Sequence, residues 1–307
     1  MERRNFIKRT VAASAAAGLG TVAFGKTDPA AMSNNAKFNL KYAPNFNSFP
    51  EMAGQDPVDF IKFCNDQGFR AIFDNGLAKK EPTLQEKIAS ELNRHNMDIG
   101  PFVLRAAEGG ESMVYSDSES REKWVQGMYE AIETSKRTGA KHALIVPGKL
   151  DTKMEKDYQT ANVIDCLREL SEIAEKDSVV IVLEPLNRWN HPGLFLTGIP
   201  QAYAICRAVN SPSCKLLDDM YHQQITEGNI IPNIDRAWSE IAAFHIGDNP
   251  GRKEPGTGEM NYLNIFKHIH QKGYEGVLCM EHGRSIEGIA GEKALIEAYR
   301  RADNFID

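Results

Sequence analysis

From about residue 36 onward, apolar and polar positions fall into a repeating alternation. Short, mostly continuous apolar runs occur at 38–42, 70–74, 99–104, 142–146, 179–184, 214–219, 243–246 and 276–281. Runs of this kind predict parallel strands covered on both faces. Between them lie amphipathic stretches that predict helices at 56–67, 84–96, 119–138, 160–176, 199–209, 235–241, 262–272 and 294–305. The pair Asp56-Pro57 suits an N-cap and first turn, and Gly68 suits a stop. Gly139 and Gly273 stand just past helix ends, where a left-handed residue is favoured. The helix after the sixth strand has the weakest pattern, because Pro232 interrupts it. Eight strand–helix units without a break in composition predict one closed (β/α)8 TIM barrel over residues 33–307. An open doubly wound sheet is the alternative, but there is no GxGxxG after the first strand and no P-loop.

Composition agrees with that size of fold. The chain has 307 residues, 42% of them hydrophobic, enough for a large core. A mean hydropathy of −0.42, with no long apolar run beyond the N-terminus, argues for a soluble protein with no stable membrane span after processing. A formal charge of −6 gives no reason to expect nucleic acid as a partner.

The first 32 residues read differently. Glu2-Arg3-Arg4-Asn5-Phe6-Ile7-Lys8 has the form of a twin-arginine n-region, and a small, weakly apolar run follows at 11–24. We expect an export signal and linker at 1–32, cut between 24 and 32, with the twin-arginine machinery as partner and the periplasm as destination. Loss of residues 1–26 removes Arg3, Arg4, Lys8, Arg9 and Lys26 against Glu2, taking the charge from −6 to about −10. That route carries proteins already folded, which suits an enzyme loaded with metal. Cys64, Cys166, Cys206, Cys214 and Cys279 form no CxxC and are odd in number, so they read as buried thiols.

The candidate chemistry gathers at strand ends, where α/β barrels keep their active sites. The stretch 242–259, AAFHIGDNPGRKEPGTGE, puts His245 at a strand terminus, with Asp248, Arg252, Glu254 and Glu259 in the loop behind it. Three further runs end in acid: VVIVLEP at Glu184, CKLLDDMYH at Asp218 and Asp219, and GVLCMEH at Glu281. Glu184, Asp219, His245 and Glu281 thus close strands five to eight, and three carboxylates with one imidazole suit one divalent ion, Mn, Co or Mg, with Zn a further candidate. Alternation along a strand sends Asp218 and Asp219 to opposite sides, and Asp219 is preferred because His222 follows three residues later. Trp189 and His191 lie on the loop after Glu184 and could line a pocket. Glu259 suits a cap for the next helix or an ion pair with Arg252. His142, His268 and His270 read as structural or solvated, and Tyr42 reaches the pocket by position alone.

LEPLNRW (183–189), DMYHQQ (219–224), HIGDNPGRKEPGTGEMNY (245–262) and CMEH (279–282) resemble the xylose isomerase-like TIM-barrel superfamily. Within it they are similar to hydroxypyruvate isomerase-type and ketose 3-epimerase-type sugar isomerases, over essentially the whole chain after the export segment. The resemblance implies that Glu184, Asp219, His245 and Glu281 hold the metal. It also implies that Glu184 and Glu281 are the two proton-transfer carboxylates, and that His222 and Arg252 hold the carbonyl end of the substrate. Two departures set the chain between subtypes. Asn190 stands where the 3-epimerases carry a Glu, and His245 where the hydroxypyruvate isomerase type tends to have Gln.

The expected function is therefore a metal-dependent isomerase of a small carbohydrate or hydroxy-keto acid, working through an enediolate. The alternatives are a ketose 3-epimerase, a lyase or hydrolase of oxidised (3-keto) glycosides using the same site, and a non-catalytic sugar-binding barrel. Substrate, metal and any homo-oligomeric assembly stay open at this level.

Overall fold

The short apolar runs become parallel strands in a computed structural model that describes residues 36–104 and 112–306. The proposed export segment lies outside the described residues. The strands are β1 (Lys41–Ala43), β2 (Ala71–Ile72), β3 (Asp98–Ile99), β4 (Phe102–Val103), β5 (His142–Ile145), β6 (Val180–Leu183), β7 (Cys214–Asp219), β8 (Ile241–Ile246) and β9 (Val277–Met280). Seven of them pair in the order β1-β9-β8-β7-β6-β5-β4, and β2 pairs with β3. Two hydrogen bonds join these groups into a ring. The Phe73 amide donates to Pro44 O at 3.1 Å, and the Val103 amide to Asn75 O at 3.1 Å. β3 and β4 are one barrel position split at Gly100-Pro101, where Pro101 has no N–H for the ladder. A Cβ at Gly100 would fall 2.8 Å from both Cys279 Sγ and Phe73 Cβ, so only glycine lets the neighbours close there.

Helices cover the ring: α1 (Pro57–Asp66), α2 (Pro82–His95), α3 (Ser118–Thr138), α4 (Lys156–Glu175), α5 (Ile199–Val209), α6 (Met220–Thr226), α7 (Ile230–Ala237), α8 (Tyr262–Gln271) and α9 (Gly288–Ala302). Asp56 Oδ1 accepts from the Val58 amide at 2.8 Å and Asp117 Oδ1 from the Ser120 amide at 2.8 Å, each satisfying an orphan donor at a helix start. Gly139 and Gly273 adopt the expected left-handed conformation, with φ of 77° and 74°. The sixth connection departs from the predicted single helix at 235–241. α6 begins directly on Asp219, and Pro232 sits in the first turn of α7, where its missing N–H has no intrahelical acceptor to lose.

Alternation divides each strand between two cores. Leu183, Leu216, Phe244 and Leu278 pack outward in the main cluster under the helices. Leu144, Val182, Leu217 and Ala243 form a separate cluster, as do Ala43, Ala71, Phe73, Val277 and Cys279. These two small groups fill the barrel axis. Tyr42 faces outward, its ring 4.9 Å from Phe266 and its hydroxyl donating to Asp303 Oδ1 at 2.9 Å, so it does not reach the pocket. All five cysteines are buried and unpaired, as expected. Among the described residues, no helix is long and apolar enough to cross a membrane.

Candidate active site

Two residues beyond Val182, Leu217, Ala243 and Cys279 on the axial face stand Glu184, Asp219, His245 and Glu281. The period of two that packs the axis thus carries four polar side chains to its carboxyl-terminal end. Each of the four offers one ligand atom, and these atoms lie within 4.8 Å of one another. His245 Nδ1 is 2.9 Å from Glu184 Oε1 and 3.0 Å from Glu281 Oε2, with Asp219 Oδ2 at 4.0 Å. Phe73 backs the imidazole with ring centroids 5.6 Å apart. Asp218, pointing the other way, is fully buried with neither oxygen partnered, and burial pushes its carboxyl well above the usual range.

Neighbouring groups hold these carboxylates in place. Asp219 Oδ1 caps α6, accepting from the Tyr221 and His222 amides at 2.8 and 3.1 Å, which leaves Oδ2 for the site. Glu281 Oε1 accepts from Asn75 Nδ2 at 2.6 Å, and Oε2 from Arg252 Nη2 at 2.5 Å. The same Nη2 reaches Asp219 Oδ2 at 3.2 Å. Arg252 depends on Asp248, whose carboxylate accepts from the Gly256, Gly258 and Met260 amides at 2.8, 2.9 and 3.1 Å. The turn so formed holds Arg252 at φ 50°, with its guanidinium 5.1 Å from the Tyr221 ring centroid. His222 points its Nε2 into the site, 3.7 Å from Asp219 Oδ2 and without a hydrogen-bond partner.

The electrostatics are those of a site short of positive charge. Burial pushes the Glu184 carboxyl up, and Glu281 and Asp219 add to this while His245 opposes it. Burial would also raise Glu281, but His245, Arg252 and Asn75 outweigh it and hold that carboxyl below the usual range. Burial alone would discharge His245, yet Glu281 and Glu184 push its imidazole well up. His222 is driven down to about 4, chiefly by burial.

A divalent cation fits this arrangement. Glu184 and Glu281 converge on one imidazole nitrogen, with Asp219 beside them, which is how donor atoms gather around an ion. Three carboxylate oxygens and one nitrogen are the donors that Mg, Mn, Co and Zn accept.

The family described as xylose isomerase-like TIM barrel matches residues 59–302. The chain belongs to that family. Hydroxypyruvate isomerase of Escherichia coli K12 is 29% identical over 188 residues, covering 61% of this chain and 71% of that protein. 2-Oxo-tetronate isomerase of Cupriavidus necator is 28% identical, covering 50% and 58% respectively. Among solved structures, apo 3-keto-D-glucoside 4-epimerase of E. coli superposes with a TM-score of 0.69 at 18% identity, over 86% of this chain and 98% of that one. The fold expected from the alternation is therefore the family's fold.

In this xylose isomerase-like chain, Glu184, Asp219, His245, Glu281, His222 and Arg252 all converge on one site. Trp189, on the loop after Glu184, is 59% exposed, with the Arg188 guanidinium 4.3 Å from the indole centroid. The ring of His191 lies 5.2 Å from that of His222. Glu259 neither caps α8 nor pairs with Arg252. It accepts from Asn249 Nδ2 at 2.7 Å and Gln224 Nε2 at 3.2 Å, while Asn261 caps α8. Glu254 turns from the site to accept from the Ser285 amide at 2.9 Å. Sequence reading missed Asn75 and Asn187. Asn75 carries a weak positional signal, standing just past the second strand at the mouth where the four candidate ligands stand.

Proposed function

We propose that this chain is a divalent-metal-dependent isomerase of the hydroxypyruvate isomerase type. It would interconvert aldose and ketose, or hydroxy-keto acid, forms of a small unphosphorylated substrate. The observation that carries this reading is the approach of two carboxylates from non-adjacent strands, Glu184 after β6 and Glu281 after β9, to the same imidazole nitrogen at 2.9 and 3.0 Å. A pair so placed can take a proton from one carbon and return it to its neighbour. The hydroxypyruvate and 2-oxo-tetronate isomerases among the relatives support the substrate class.

Glu184, Asp219, His245 and Glu281 would hold one ion, which supplies Lewis-acid stabilisation of the charge that develops on a substrate oxygen. The chain's own groups do the rest. Arg252 Nη2 and His222 Nε2 offer donors to the carbonyl end, fixing which carbon faces which carboxylate. Glu184, buried deeper than Glu281, takes or returns the proton from the β6 side, and Glu281 works from the β9 side. The residues at 1–32 fit export of the folded enzyme to the periplasm.

Trp189 favours a second reading. Its exposed indole on the loop after Glu184 could stack on a sugar ring beyond the reacting one, which suits epimerisation or cleavage of a 3-keto glycoside. The class of substrate that reacts separates the two readings, and product mass tells cleavage from epimerisation. Incubation of the Mn2+-loaded protein with hydroxypyruvate, 2-oxo-tetronate, free ketoses and 3-keto glycosides should yield a product of unchanged mass from the small keto acids or ketoses. Cleavage or epimerisation confined to the glycosides would replace the first reading with the second.

A further inference from the structure

The substrate-facing nitrogen of His222 has a defined protonation, set by groups that lie away from the metal ligands. Its other nitrogen, Nδ1, meets two donors. The Asn187 backbone amide donates to it at 3.3 Å, and Asn187 Nδ2 lies 2.6 Å away. A backbone N–H can only donate, so Nδ1 must offer a lone pair. The orientation of the Asn187 side chain is equally constrained. Its Oδ1 accepts from the Trp189 and Asn190 amides at 3.1 and 2.9 Å, two contacts that the NH2 end could not make. Nδ2 is therefore the end that faces His222, and its second hydrogen goes to Asn190 Oδ1 at 2.8 Å. Asn187 is fully buried and His222 almost so, leaving no water to compete for these bonds. At the far side of the ring, Nε2 is buried with no partner in the protein. A buried N–H with nothing to donate to costs free energy until something supplies an acceptor.

We propose that Asn187 is the positioning residue that locks His222 as the Nε2–H tautomer, so that His222 presents an obligatory N–H donor to an acceptor oxygen of the substrate. The inference builds on the isomerase reading, in which His222 meets the carbonyl end. A neutral imidazole that already carries its proton on Nε2 cannot take another there and remain neutral. Proton transfer is then left to Glu184 and Glu281. The Asn at the fourth position of EPLN thereby gains a role: it sets the direction of a hydrogen bond made by a residue 35 positions further along the chain.

Long-range 15N–1H correlation spectra of the purified full-length chain, loaded with Mg2+ and without substrate, test the tautomer directly. In the wild type the His222 proton should reside on Nε2. Asn187→Asp replaces the donor with an acceptor and should bring a proton to Nδ1, with kcat lowered about 10²-fold, the scale for losing one oriented donor to developing charge. Asn187→Ala removes the 2.6 Å side-chain contact and leaves only the 3.3 Å backbone donor, so the Nδ1–H form should appear beside Nε2–H. An Asn187→Ala spectrum identical to the wild type's would give the lock to the backbone and overturn the role of the side chain. A wild-type spectrum with the proton on Nδ1, or an Asn187→Asp spectrum unchanged from wild type, would overturn the proposal. If Asn187→Asp fails to fold, the wild-type and Asn187→Ala spectra together decide. The tautomer is read without turnover, so Nε2–H in a protein inactive on every isomerase substrate supports the positioning role and removes the isomerase reading.

Discussion

Replacing Asp219 by Asn separates the two jobs of that side chain. Oδ1 caps α6 through the Tyr221 and His222 amides, and the amide oxygen of Asn can keep both bonds. Oδ2 faces the candidate metal site and Arg252, and there Asn puts an NH2 group. Without metal, loss of the Arg252 contact costs about 1 kcal/mol. Relief of repulsion with Glu184 and Glu281 offsets it, so the metal-free midpoint should move little. With metal the difference is large. An ion at 100 times its Kd stabilises the folded wild type by about 2.7 kcal/mol, or roughly 5–10 °C in a chain of this size. If the substitution weakens binding 100-fold, the same concentration yields only about 0.4 kcal/mol, close to 1 °C. Thermal melts of chelator-stripped protein with and without Mn2+, paired with elemental analysis, measure this. An Asp219→Asn protein whose midpoint rises with Mn2+ as far as the wild type's would refute the ligand assignment.

Other consequences reach beyond the ligands. Asp248→Ala orphans three amides in the turn that carries Arg252. It should cost about 2–4 kcal/mol of stability and raise KM about 10-fold, and unchanged kinetics would show that the turn holds Arg252 without it. Burial pushes the Asp303 carboxyl up, so the folded chain keeps that proton where the unfolded chain has lost it, and stability falls as pH rises from about 3.9 through the raised value. Asp303→Asn should flatten that part of the curve in melts between pH 4 and 7, and an unaltered slope would assign it to other groups. Changing Arg3 and Arg4 together to Lys should hold folded precursor in the cytoplasm, whereas normal export of that variant would point to another route.

The convergence of the four candidate ligands was legible because each ends its own strand, and strand ends in a barrel share one face whatever the loops do. The preference for Asp219 over Asp218 followed from the same alternation, since only one of two neighbours can face the axis. The connection after β7 was misread because Asp219 ends the strand and caps the helix at once, so α6 starts with no intervening loop to announce it. Pro232 looked like a breaker, although in a first turn it costs no hydrogen bond. Asn75 and Asn187 could not be assigned from sequence. Each acts on a residue far along the chain, Glu281 or His222, and nothing local to FDNG or EPLN says which partner the fold will bring. Glu259 shows the converse: its local pattern suggested a cap, and the folded loop gave it side-chain amides instead.

The claim that Glu184 and Glu281 move the proton is tested most directly by solvent-deuterium exchange in the two Glu→Gln variants at saturating Mn2+. The amide keeps an oxygen for the ion but cannot accept a proton, so net turnover should fall by about 10² or more. Each variant should still exchange a hydrogen in only one of the two isomers, the one whose carbon alpha to the carbonyl faces its remaining carboxylate. The two variants should therefore differ in which isomer exchanges, and neither should release isomerised product. Near wild-type turnover in both variants, with ion occupancy verified, would contradict the two-carboxylate mechanism.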